Sequence, residues 1–196
     1  DPYVQPMSGE PAVTAARVLG ALGELTVLWS YVMAEHPPQL AEVTAECLRQ
    51  LQTLPETLLP ALIERFGREA PLPSRLGLVD LLINHPATSR AENHKESGRP
   101  GQPGTEPGEG GRAGRTYLLG QLQETRDIDV FRYLVMSIVA AGHEPLLAGL
   151  LACAQNLQNR EKLAVLAEAF TLLAHQPQFR EQAAAIQRRL AGNRRR

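Results

Sequence analysis

Cysteine is nearly missing from this 196-residue chain: Cys47 and Cys153 are the only two, with no C-x-x-C spacing. That excludes a disulfide scaffold and a zinc ribbon, and two isolated thiols set among apolar residues read as reduced, buried core groups. Aromatic residues are scarce as well, at 5%. Nowhere do they alternate with β-branched residues at period two, so no strands are expected. The longest apolar run, Leu25 to Ala34, is broken by Ser30 and Tyr31 and falls far short of a bilayer, so no membrane segment is expected. One stretch lacks everything that builds a core. Between Pro86 and Thr116 there is no Leu, Ile, Val, Phe, Tyr, Trp or Met, while Gly and Pro recur from Gly98 through Gly114. Such a segment cannot offset the entropy of ordering its backbone, and residues 87–115 are expected to be a flexible, disordered linker.

What the chain has is Leu and Ala, within 43% hydrophobic residues. Apolar positions recur at i, i+3, i+4 and i+7 almost throughout, which predicts an all-α protein. The expected organisation is an N-terminal block of about four helices at 1–86, the linker at 87–115, and a C-terminal block of about five helices with a basic tail at 116–196. The first helix is expected to run from Val13 to Glu35, with Gly20 and Gly23 as places to bend or pack closely, and to end at His36-Pro37-Pro38. The second, 39–52, places Leu40, Val43, Cys47, Leu48 and Leu51 on one face and leaves its polar side solvated. Pro60 predicts either a kink or a helix start near Leu59. The fourth helix covers 74–84. Beyond the linker, helices are expected over 116–124, over 127–141 with Phe131, Leu134, Val135 and Ile138 on one stripe, over the Leu146–Leu157 stretch, after a cap at Asn159, and over 179–190.

Shifting the chain by thirty-two residues lays His143-Glu-Pro145 on His175-Gln-Pro177, Ile138 on Phe170, Leu147 on Phe179 and Ala154 on Ile186. Met33-Ala-Glu-His36 and Leu82-Ile-Asn-His85 likewise each precede a proline. A helical hairpin repeated at this period marks stacked repeats. The chain resembles the HEAT and armadillo class of α-solenoids. That resemblance implies stacked antiparallel helical hairpins, interrupted here by a long disordered insertion, and a scaffold that binds a partner helix or peptide along its surface.

Chemistry is mostly excluded by what the spacing lacks. His36, His85, His143 and His175 fall at helix C-termini beside proline turns, where imidazole can donate to free carbonyls. No H-E-x-x-H or Cys/His cluster is present, and the glycine run follows no strand and lacks a G-K-[ST] ending. The serines have no accompanying base and orienting group. The expectation is no catalytic residue, no cofactor, no metal site, no small-molecule substrate and no enzyme activity.

The net charge of −1 conceals an asymmetry: residues 1–86 carry ten acids and five bases, and residues 116–196 seven acids and ten bases. The chain opens on Asp1 rather than Met, as expected of a piece cut from a longer protein. Within the acidic block, Glu24, Tyr31, Met33, Glu35, Glu42 and Glu46 are the expected protein-binding residues, facing a basic or amphipathic partner helix. The alternative is a helical domain of a nucleic-acid-handling or enzyme-associated complex, using Arg188, Arg189, Arg194, Arg195 and Arg196 on phosphates. With two lysines in the chain and no aromatic residues among those arginines, nucleic acid is the lesser expectation. The expected setting is a multi-subunit complex in the reducing cytoplasm or nucleus, without a membrane.

Overall fold

The computed structural model describes residues 10–67, 71–89 and 108–192. Among them are eleven α-helices, two short 3₁₀ turns and no strand, so the chain is all-α as its periodicity requires. It divides into two compact units, Asp1–Leu81 and Leu82–Arg196. The division falls inside the fifth helix rather than at Pro86.

The first unit holds α1 (Glu10–Leu22), α2 (Leu25–Val32), α3 (Ala41–Gln52), α4 (Leu59–Phe66) and most of α5 (Leu72–Asn84). The single helix expected over 13–35 is two. Gly23 takes φ = 73°, a left-handed conformation that glycine adopts without a Cβ penalty, and it ends α1 where a side chain would have continued it. The turn is closed by Gly23 N–H to the Gly20 carbonyl at 3.1 Å and Glu24 N–H to that of Leu19 at 3.0 Å. Both α1 and α2 pack on α3. Trp29 of α2 is buried and meets Phe66 of α4 with ring centroids 5.2 Å apart. Pro60 sits in the first turn of α4, which starts at Leu59 after the 3₁₀ turn Glu56–Leu58, where its missing N–H costs no hydrogen bond.

The second unit continues with α6 (Pro86–Ser89), α7 (Glu109–Glu124), α8 (Ile128–Ala141), α9 (Glu144–Asn156), α10 (Arg160–Leu172) and α11 (Pro177–Gly192). Both ends of the expected linker are helix. Ala87 and Thr88 are buried in α6, and Gly110, Gly111, Gly114 and Arg115 are buried in α7. A Cβ on Gly111 would overlap the Ala87 carbonyl, and one on Gly114 would lie 2.9 Å from Thr88 Oγ1. These glycines let two helix backbones approach, so their lack of side chain is used for packing rather than for flexibility. The remaining residues of the expected disordered insertion, 90–107, lie outside the described residues.

The expected cap at Asn159 forms, its Oδ1 accepting from Lys162 N–H at 3.0 Å, and α8 is capped by Asp127, whose Oδ1 accepts from the backbone of Asp129 at 2.8 Å and of Val130 at 3.2 Å. Helices pack with their successors (α7 on α8, α8 on α9, α10 on α11) and with the next but one (α7 on α9, α8 on α10, α9 on α11). The apolar pairs matched by the thirty-two-residue shift are buried, Ile138 and Phe170, Leu147 and Phe179, Ala154 and Ile186, whereas the paired His-x-Pro turns at 143–145 and 175–177 are not. In α11 the core face is Phe179, Ala183 and Ile186, whereas Ala184 is exposed.

Candidate functional site

The acidic residues singled out in the sequence do not share one surface role. Glu46 is 8% exposed and is not part of a solvated rim. It lies on the α1-facing side of α3, where Arg17 of α1 donates Nε to Oε1 at 3.3 Å, Gln50 donates Nε2 to Oε1 at 2.7 Å, and Arg49 donates Nε to Oε2 at 3.1 Å and a second nitrogen to Oε1. Hydrogen bonds from Arg49 first, then Gln50, hold its carboxyl down at about 2, against the pull of burial in the other direction. The same bond pushes the Arg49 guanidinium up. A carboxylate with this many donors joins α1 to α3.

Tyr31 and Met33 are also committed. Tyr31 stacks on His36 with ring centroids 3.9 Å apart, and its carbonyl meets His36 Nε2 at 2.6 Å, so the imidazole closes the C-terminal end of α2. Met33 is half-buried, with Sδ against Gly77 of α5. Glu24 stands at the N-terminal end of α2 without a side-chain capping bond and borders a hollow of about 500 Å³ shared with Leu25, Leu62, Arg65 and Phe66.

Glu35 and Glu42 differ from the others: both are exposed, and neither makes an ion pair among the described residues. Their chain neighbours, Ala34 and His36 beside Glu35 and Ala41 beside Glu42, line a shallow groove of about 380 Å³ formed by the His36-Pro37-Pro38 connection and one face of α3. Ala41, Ala45 and Leu48 run along its floor at i, i+4 and i+7, with Thr44 between them. Sequence reasoning placed Leu48 on the buried face with Cys47. The helix instead buries Val43, Glu46, Cys47 and Leu51 and turns Leu48 outward at 38% exposure. The signal was present in the Ala41-Ala45-Leu48 spacing, hidden because alanine contributes little to a hydrophobic stripe. A second apolar surface was also missed: Val18, Leu22 and Val27 are 52%, 70% and 50% exposed.

In the second unit, basic side chains close helix ends. Arg189 of α11 donates to the carbonyls of Ala154 at 3.1 Å and Leu157 at 2.6 Å, in the last turn and at the C-cap of α9. Buried Lys162 reaches the Leu122 carbonyl of α7 at 3.5 Å and lies 4.9 Å from the centre of the Phe131 ring. Buried Arg115 reaches the Thr88 carbonyl of α6 at 3.4 Å. Cations there face the negative ends of helix dipoles. Arg189, expected among phosphate-binding residues, therefore has this internal role. Arg188 is exposed and donates Nε to the Ala184 carbonyl at 3.4 Å, and Arg194, Arg195 and Arg196 lie outside the described residues. Both thiols are free, and burial pushes each of them up.

Among the described residues no group of three His, Cys, Asp or Glu side chains could hold a metal ion, and no helix is long and apolar enough to cross a membrane. No protein-family model, curated protein or solved structure gives a significant match to this chain.

Proposed function

We propose that this chain is a protein–protein interaction scaffold, a fragment of a larger helical-repeat protein that works within a multi-subunit assembly in the reducing interior of the cell. The observation that carries this reading is the outer face of α1. Ala15, Val18 and Leu22, spaced i, i+3 and i+7, are all exposed, and only Ala16 of the thirteen residues of α1 is buried. Apolar surface of this kind, gathered on one helix, suits a protein neighbour. The packing of α7 to α11 on successors and on helices next but one supports the stacked-hairpin architecture expected of an α-solenoid.

The test is affinity capture of the protein from cells with the Val18→Glu/Leu22→Glu double variant beside wild type. Both positions are solvent-exposed, so the variant should keep the wild-type circular dichroism spectrum. Loss of a defined set of captured proteins is expected. Capture of no specific protein by the wild type, or an identical set with a folded variant, contradicts the reading.

A further inference from the structure

The first two turns of α7 are helix where the local sequence opposes it. Three of the seven residues 109–115 are glycine, and none carries an apolar side chain larger than that of Ala113. Glycine loses the most backbone freedom on entering a helix, and a segment without large apolar side chains has little burial to offset that loss. The rest of the same helix differs. Leu118 and Leu122 are fully buried, and Gly120 is the single glycine of 116–124.

What holds 109–115 in place is α6. Ala87 and Thr88 are buried there, and the Ala87 N–H donates to His85 Nδ1 at 3.2 Å, which fixes the start of that short helix. Gly111 and Gly114 bring the backbone of α7 against the Ala87 carbonyl and the Thr88 side chain, and buried Arg115 donates to the Thr88 carbonyl at 3.4 Å. One polar group in this contact stays unsatisfied. Thr88 is fully buried, and its Oγ1 has no hydrogen-bond partner among the described residues. A hydroxyl shut away from water without a partner opposes the closed contact, and opening returns it to solvent. A weak helix former and a buried group that gains from exposure therefore meet at one seam.

We propose that residues 109–115 are an order–disorder switch: docked on α6 they extend α7 by two turns, and undocked they leave the helix while 116–124 and α8 to α11 stay folded. The switch goes beyond the interaction-scaffold reading and is independent of what the α1 face binds. Its balance is set at α6, so anything that covers Ala87 and Thr88 in place of α7 shifts it towards the open form.

Residue-resolved hydrogen exchange, followed by NMR on the full chain, tests the switch. The amides of Ala113, Gly114 and Arg115 should exchange about a hundredfold faster than those of Leu118 and Leu122. Their rates should barely change in urea too dilute to unfold the chain, because a local opening exposes little surface. Thr88→Val keeps the shape of the side chain and removes the unpaired hydroxyl, so it should slow the three amides by about tenfold. Gly111→Ala puts a methyl group against the Ala87 carbonyl and should speed them by about tenfold, with Leu118 and Leu122 unchanged. Exchange of the three amides at the rate and urea dependence of Leu118 and Leu122 overturns the switch. So does exchange at the rate of an unstructured peptide, because no docked state would then exist. Unchanged or faster exchange in a Thr88→Val variant with a wild-type circular dichroism spectrum overturns it as well.

Discussion

Two helices of thirteen residues, α1 in the first unit and α10 in the second, meet opposite fates. The α10 helix buries Lys162, Leu163, Val165, Leu166, Ala167, Ala169 and Phe170, between α8 and α11. The α1 helix buries Ala16 alone and leaves Val18 and Leu22 in solvent. Both carry apolar residues at helical spacing, so periodicity identifies them equally well. What differs is how much of the helix its neighbours cover: α8 and α11 bury seven of the thirteen residues of α10, whereas α2 and α3 leave a face of α1 in solvent. A helix covered on most of its faces is a finished part of a core, whereas one with a face left open keeps apolar surface available for something else.

The largest effect should come from breaking the finished helix. Phe170 is fully buried against Phe179, with ring centroids 5.4 Å apart, and Phe170→Ala should cost ~3–5 kcal/mol in urea denaturation. Leu22→Ser on α1 should stay within ~0.5 kcal/mol of wild type, as an exposed substitution does. Equal losses from the two would erase the contrast.

A middle-sized effect separates two glycines of α7. Gly111→Ala drives a methyl group into the Ala87 carbonyl and should destabilise by ~1–3 kcal/mol. Gly120 has nothing within 4 Å of where its Cβ would be, so Gly120→Ala should stabilise by ~0.5–1 kcal/mol through helix propensity. Thermal melts followed at 222 nm measure both. A stabilising Gly111→Ala would mean that the glycines of 109–115 do not pack on α6.

These glycines also mark where the sequence was hard to read. The helix over 127–141 and the one after the cap at Asn159 were legible because local signals and burial agree there. The Glu109–Arg115 turns were not, because low apolar content and abundant glycine signal a loop, and only a neighbour pressing on the helix turns the same residues into a packed face. The break at Gly23 was marked as a place to bend, yet whether φ turns positive depends on the packing of α1 and α2 on α3. Glu46 shows the same limit for the candidate site: its letter matches those of Glu35 and Glu42, and its burial follows from Arg17, twenty-nine residues earlier.

The smallest effect distinguishes Glu46 from the two exposed acids. Its carboxyl lies at about 2, below the ordinary value of 4.5. A depressed folded-state value contributes stability that is fully present above the unfolded value and is lost as pH falls from about 4.5 towards about 2. Wild type should therefore lose more stability than Glu46→Gln between about pH 5.5 and about pH 3, read as the shift in urea midpoint. Parallel midpoints would show that the bonds from Arg49 and Gln50 do not hold the Glu46 carboxyl down in solution.

The contrast between a finished and an unfinished helix is tested most directly by photocrosslinking in cells, with p-benzoylphenylalanine placed at Leu22 of α1 or at Leu172 of α10. Both side chains are exposed, at 70% and 58%, but only Leu22 lies on an uncovered apolar helix face. Discrete adducts to specific proteins from position 22, with none from position 172, are expected. Adducts of equal pattern from both positions, or from 172 alone, would contradict the account.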